Sequence, residues 1–121
     1  MAKKVLIIED TADIADALKI LIEMQGYNAV IAGDGQEGCR MALEELPDLV
    51  LMDISMPEMD GLEATREIRS QPANAKTPIV CVSSYTRGHE SELIEAGSNE
   101  IMSKSSFIGA LVPTLQKYLG D

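Results

Sequence analysis

The sequence is poor in basic residues and almost without aromatics. Lys and Arg total 10 against 20 Asp and Glu in 121 residues, a net charge of −10 at pH 7. Sequence-independent binding of nucleic acid runs on Lys and Arg contacts to phosphate, so this balance argues against that class. There is no Trp and aromatics are 3%, which argues against base-stacking platforms. No apolar run approaches the ~20 residues of a membrane span. Residues 5–8 are apolar and follow Lys3-Lys4, but Glu9 and Asp10 cut the run too short for a signal peptide. The two cysteines, Cys39 and Cys81, form no C-x-x-C, and two reduced, apolar thiols in a cytoplasmic protein are expected. The single histidine, His89, has no neighbours suited to a metal or phosphodonor role.

What is present is an alternation of short apolar runs and longer amphipathic stretches, with no linker or repeat. Residues 5–8 (Val-Leu-Ile-Ile) predict a buried strand. Ile14, Ala17, Leu18, Leu21 and Ile22 recur at helical spacing, with Gly26 as a stop. Residues 28–32 predict a second strand. Asp34 with Glu37 three residues on resembles a capping box, and the second helix is expected to end at Pro47. Residues 48–53 are apolar on both faces until Asp53, as in a central parallel strand. A loop through Pro57 and Gly61 leads to a helix carrying Leu62 and Ile68. Residues 78–83 predict a fourth strand. A shorter helix carries Leu93 and Ile94 and stops near Gly97. Residues 100–103 predict a weaker fifth strand. A last helix carries Phe107, Ile108, Leu111, Leu115 and Leu119.

Strands alternating with helices imply right-handed crossovers and one parallel sheet. The expected fold is a flavodoxin-like α/β domain over residues 1–121, a doubly wound five-stranded parallel sheet of order 2-1-3-4-5 with five helices. Its ligand site lies beyond the strand C-termini. There the first strand ends in Glu9-Asp10, the third in Asp53 and the fourth in Ser83-Ser84, and Lys104 follows the fifth. Three carboxylates converging on one site repel unless a cation holds them ionised. Hard oxygen ligands in an incomplete cage suit Mg²⁺, and Lys104 offers a second cation. A metal beside a lysine and a hydroxyl suits phosphoryl transfer, for which Asp is a known covalent nucleophile.

Residues 53–61, Asp-Ile-Ser-Met-Pro-Glu-Met-Asp-Gly, resemble the receiver-domain signature of two-component response regulators. Glu9-Asp10, Ser83, Ala96-Gly97 and Lys104 match the same family in order and spacing, so the resemblance covers essentially the whole chain. It implies that Asp53 accepts a phosphoryl group from a histidine kinase or histidine phosphotransfer protein. It also implies that Asp10, Asp53 and the Ser55 carbonyl ligate Mg²⁺, with Glu9 acting through water. Ser83 matches the switch hydroxyl and Lys104 the ion-pairing lysine. Such domains catalyse only their own phosphorylation and dephosphorylation, and pass on a population shift to a downstream target protein.

The sequence departs from the family pattern at three points. Ser105 stands where a proline usually follows the lysine, so a trans bond is expected between residues 104 and 105. Ile101 stands where an aromatic switch residue usually lies, and has no ring to swing. Pro113 falls inside the last helix, where a kink or a late helix start is expected. Together these predict an atypical output face on the fourth helix, fifth strand and fifth helix. Asp13 and Asp16 read as charges near a helix start, and Met52, Met56, Met59 and Met102 as ordinary packing. Tyr85 lies near the site mouth in the resembling family, where it either gates water or serves the surface.

Three competing functions are weaker. A flavin carrier needs a phosphate-cradling loop, but residues 9–13 carry three carboxylates. A phosphatase with an aspartyl nucleophile needs a second Asp two residues on, where Ser55 stands. A pseudo-receiver that binds partners without phosphorylation would not need the complete acidic site. The expectation is therefore a stand-alone receiver domain, its output made through protein contact because no output domain follows Asp121.

Overall fold

The computed structural model describes residues 2–54, 60–84 and 90–120. Five strands, β1 (Lys4–Ile8), β2 (Asn28–Ala32), β3 (Leu49–Asp53), β4 (Ile79–Ser83) and β5 (Glu100–Ser103), alternate with five helices. The helices are α1 (Ala12–Met24), α2 (Gly35–Glu45), α3 (Asp60–Ser70), α4 (Glu90–Ala96) and α5 (Lys104–Leu119), with a 3₁₀ turn at Pro72–Asn74. All strand pairs are parallel, in the order β2-β1-β3-β4-β5. The predicted doubly wound sheet is therefore observed.

Strand side chains alternate between two buried layers, as a pleat requires. Leu6, Ile8, Val50, Met52, Ile79 and Cys81 face α2, α3 and α4. Val5, Ile7, Leu49, Leu51, Val80 and Val82 face α1 and α5. β3 is buried at every position, because it sits mid-sheet with helices on both faces. Both cysteines are buried free thiols, as expected.

Several boundaries differ from expectation for local reasons. β3 starts at Leu49, because Asp48 uses its backbone N–H on the Lys4 carbonyl and its carboxylate on the Lys4 N–H. β4 starts at Ile79, since Pro78 has no N–H for the ladder; its carbonyl still accepts from Val50. α2 ends at Glu45, with Leu46 in the left-handed region (φ 47°) just before Pro47. Asp60 and Gly61 open α3 and do not form a loop. The first helix buries Ala15, Leu18 and Ile22, whereas Ile14, Ala17 and Leu21 are exposed. The sequence pattern is apolar round too much of this helix to identify the buried stripe. Ile94 is likewise exposed.

The three departures near the C-terminal end also find their places. No described peptide bond is cis, so Lys104–Ser105 is trans as expected. Ile101 is half-buried, packed against the layer that contains Leu93 and Ala96. α5 does not start late: it follows β5 directly and is helical through Pro113. Pro113 removes the N–H that would bond the Gly109 carbonyl, and Thr114 turns its hydroxyl onto the Ala110 carbonyl at 2.7 Å.

The capping box at α2 is realised with one shift. Asp34 Oδ1 accepts from the Glu37 N–H at 2.7 Å, and Glu37 Oε1 accepts from Gly33 in place of Asp34. Asp34→Ala therefore costs about 1 kcal/mol in urea denaturation.

Candidate functional site at the strand ends

Parallel strands bring their C-termini to one edge, and the sheet order places β1 and β3 side by side there. Glu9 and Asp10 follow β1, and Asp53 closes β3. One carboxylate oxygen from each lies within 4.8 Å of the others. Glu9 and Asp53 are each 4% exposed, whereas Asp10 is open to solvent. The family of three acidic residues predicted from sequence is thus one physical cluster.

Asp53 is held from two sides. Its strand neighbour is Val82 of β4. Lys104, the first residue of α5, points its ammonium at Asp53 Oδ2 across 3.5 Å. β5 runs into α5 without a connecting loop, so the register of the sheet places Lys104 opposite the cluster. Ser83 ends β4 one residue beyond the Val82 partner of Asp53 and is buried.

Gly61 makes the approach of α3 possible. A Cβ there would lie 2.6 Å from Ile54 Cδ1 and 3.2 Å from the Asp53 carbonyl. The absent side chain lets the first turn of α3 sit against the end of β3 that carries Asp53.

The electrostatics follow from burial and crowding. Glu9 is pushed up to about 7, chiefly by loss of water and next by its hydrogen bond to Asp53, with the Asp53 charge and Asp10 acting the same way. The Thr11 N–H, which donates to Glu9 Oε2 at 3.1 Å, opposes the shift. An acid raised in the folded state holds a proton that the unfolded chain has released. Without metal, the stability due to Glu9 is therefore full below about 4.5 and lost as pH rises through about 7. Mg²⁺ affinity should run the opposite way, strengthening as pH rises through 7, because the metal competes with that proton. Calorimetric Mg²⁺ titrations at pH 6 and pH 8 test this, and equal affinities would refute it.

An all-oxygen set of crowded carboxylates fits a hard divalent cation such as Mg²⁺. Of the residues predicted for this site, Glu9, Asp10, Asp53, Ser83 and Lys104 are brought to one edge. Ser55, Tyr85, His89, Met56 and Met59 lie outside the described residues. Met52 is core and Met102 is half-buried with its sulfur 3.6 Å from the Thr114 hydroxyl, which supports packing for both. Asp13 stands in the first turn of α1, and both it and Asp16 are exposed.

One feature of this edge escaped the sequence. A cavity of about 380 Å³ opens beside Asp53 between α1 and α5. It exists because Ile14 and Ala17 line it instead of filling the core. The excess of apolar positions in α1 was the available signal.

Residues 5–116 match the family model described as the response regulator receiver domain. The polar-differentiation response regulator DivK of Brucella anthropi is 33% identical over 122 residues, covering all of this chain and 99% of that protein. The chemotaxis protein CheY4 of Vibrio cholerae superposes with a TM-score of 0.90 at 28% identity, over 98% of this chain and 100% of that one. The receiver domain of the sensor histidine kinase PA1611 from Pseudomonas aeruginosa superposes with a TM-score of 0.87 at 28% identity, over the whole of both chains. That structure holds a magnesium ion coordinated in its active site cleft.

Proposed function

The chain belongs to the response regulator receiver domain family of two-component systems, and on that premise we propose that it is a phosphoacceptor switch acting through Asp53. Receiver domains are signalling switches and not metabolic enzymes. The observation that carries the proposal is the ammonium of Lys104 3.5 Å from Asp53 Oδ2, on an aspartate clustered with Glu9 and Asp10.

Asp53 attacks the phosphorus of a phosphohistidine on a histidine kinase or a histidine phosphotransfer protein. A P–O bond forms to the carboxylate, the P–N bond breaks, and the imidazole leaves with the electron pair. Asp10 and Asp53, with the carbonyl of Ser55, would hold Mg²⁺, and Glu9 would act on it through water. When bound, the metal neutralises charge that develops on the transferring group. Lys104 pairs with a phosphoryl oxygen once Asp53 has become an acyl phosphate, since its partner oxygen no longer carries a full charge. Ser83 presents its hydroxyl to the same group from the end of β4. The added charge favours a second packing of the domain, which a downstream target protein reads.

None of the described helices is long and apolar enough to cross a membrane. Within this proposal the protein works in the cytoplasm, where its kinase supplies phosphoryl groups, and neither nucleic acid nor membrane is a partner.

Incubation with acetyl phosphate and Mg²⁺ followed by intact-mass measurement tests the reading. The expected result is a gain of one phosphoryl group that disappears when the metal is chelated. No gain by a folded chain would overturn it and leave the phosphorylation-independent interaction module.

A further inference from the structure

We propose that the cavity beside Asp53 is a binding site for a small organic cation, an aromatic ring on a short chain that ends in a primary ammonium. The site is separate from the metal and phosphoryl chemistry of the acidic cluster. The proposal stands whether or not Asp53 accepts a phosphoryl group.

The space is deeper than a seam between two helices. Its volume of about 380 Å³ is that of a small-molecule site. Ile14 and Ala17 of α1 form one wall, and Phe107 and Ile108 of α5 the other. Between them it reaches the sheet, where Leu51, Met52 and Val82 also line it. These three residues are no more than 5% exposed, so water has little access to the bottom. Ala17 contributes only a methyl group to its wall, which leaves the space unfilled. An apolar cavity of about 150 Å³ holds a benzene molecule. The larger volume here takes a ring and a short chain. Phe107 and Met52 favour an aromatic occupant over an aliphatic one, because a ring gains from a neighbouring ring and from a thioether.

Charge decides what the chain must carry. Four charged side chains also line the cavity: Glu9, Asp13, Asp53 and Lys104. Three of them are engaged. Glu9 and Asp53 belong to the acidic cluster, and Lys104 faces Asp53 at 3.5 Å. Asp13 remains. It is exposed in the first turn of α1 and has no ion pair or side-chain hydrogen bond among the described residues. An anionic ligand would meet three carboxylates and an ammonium already paired. A neutral ligand would leave Asp13 as it is. An ammonium on Asp13 gains an ion pair and displaces neither Lys104 nor a metal on the cluster. The net charge of −10 favours the same sign of ligand over the whole surface.

The test uses the ¹⁵N-labelled, unphosphorylated chain in saturating Mg²⁺, which keeps the ammonium off the metal ligands. The probe is phenethylammonium. Phenethyl alcohol and phenylacetate carry the same ring and change the charge. Expected are saturable amide shifts centred on residues 13–18 and 104–108. The expected Kd is about 1 mM, as a ligand of about nine heavy atoms allows. The alcohol should bind about threefold more weakly than the amine, and phenylacetate at least about tenfold more weakly. Asp13→Asn should bring the amine to the level of the alcohol. Ala17→Phe fills the cavity and should weaken the amine and the alcohol alike, at least about tenfold. Ala17→Leu fills less of it and keeps the test open if the larger side chain disturbs the fold in thermal melts. Equal binding of amine and alcohol overturns the proposal, as do shifts centred on α2, α3 or α4 and the absence of saturable shifts. Weakening of the amine as Mg²⁺ is raised also overturns it, because that places the ammonium on the metal ligands and not on Asp13.

Discussion

Asp53→Ala gains no phosphoryl group from acetyl phosphate, at less than about 1% of the native rate, and is more stable at pH 8 than the native chain. The first half follows from the lack of a substitute nucleophile. Glu9 is buried, holds a proton up to about 7 and is tied to the Thr11 N–H. Asp10 is exposed, and Lys104 aims at Asp53. Neither neighbouring carboxylate combines low protonation with a facing ammonium. The second half follows from crowding. After burial, the hydrogen bond to Asp53 is the next cause of the raised Glu9 pKa, and the Asp53 charge adds to it. Removing Asp53 lowers the cost of ionising Glu9, a gain of about 1.4 kcal/mol per unit by which its pKa falls. Intact mass reads the first effect and urea denaturation at pH 8 the second. A variant that still takes one phosphoryl group would move the acceptor away from Asp53. A variant less stable than native would mean that Asp53 contributes more through its contacts than it costs through repulsion.

Gly97→Ala lowers stability by about 2–4 kcal/mol, although the residue is far from the site chemistry. Gly97 has φ of +117°, a region L side chains rarely adopt. An added Cβ would also lie 2.6 Å from Arg69 Cγ and 2.9 Å from Arg69 Nε. Arg69 cannot swing aside cheaply. Its guanidinium donates to the carbonyls of Gly97, Asn74 and Ala75 and to Asn99 Oδ1, at 2.7 to 3.1 Å. Asn99 Oδ1 in turn accepts from the Ile79 N–H at the start of β4. One guanidinium therefore ties the end of α3, the 3₁₀ turn and the α4–β5 connection together. The double variant Gly97→Ala with Arg69→Ala should cost less than the two single changes added, because each removes part of the same contact. Strict additivity in a double-mutant cycle would refute this account of the clash.

Much of the fold was legible because its signals are local. The apolar runs that became β1, β3 and β4, the cap at Asp34 and the helix stops near Gly26 and Gly97 each depend on a few neighbouring residues. Strand order followed from the alternation of strands and helices and the handedness of crossovers, which leave few topologies. The acidic pair at residues 9–10, Asp53 and Lys104 could be named as a site because parallel strands bring their ends to one edge.

The largest misreading lies in α1. Helical periodicity identifies an amphipathic stretch, but when apolar residues occupy more than one stripe it does not identify the buried one. In α1 the sheet accepted Ala15, Leu18 and Ile22 and left Ile14 and Leu21 outside, which opened the cavity beside Asp53. Of the two outcomes expected at Pro113, a kink or a late helix start, the late start does not occur: packing of Phe107, Leu111 and Leu115 against the sheet holds the helix from Lys104 onward. Gly61 read as a turn residue and serves as the close contact that seats α3 on the end of β3. The sequence by itself determined the element types, the sheet order and the identity of the acidic cluster, since these rest on pattern and chain connectivity. Which face of α1 is buried, how strongly Glu9 holds its proton and what Arg69 ties together were decided only by tertiary structure. Each depends on contacts between residues distant in the chain, and on the water those contacts exclude.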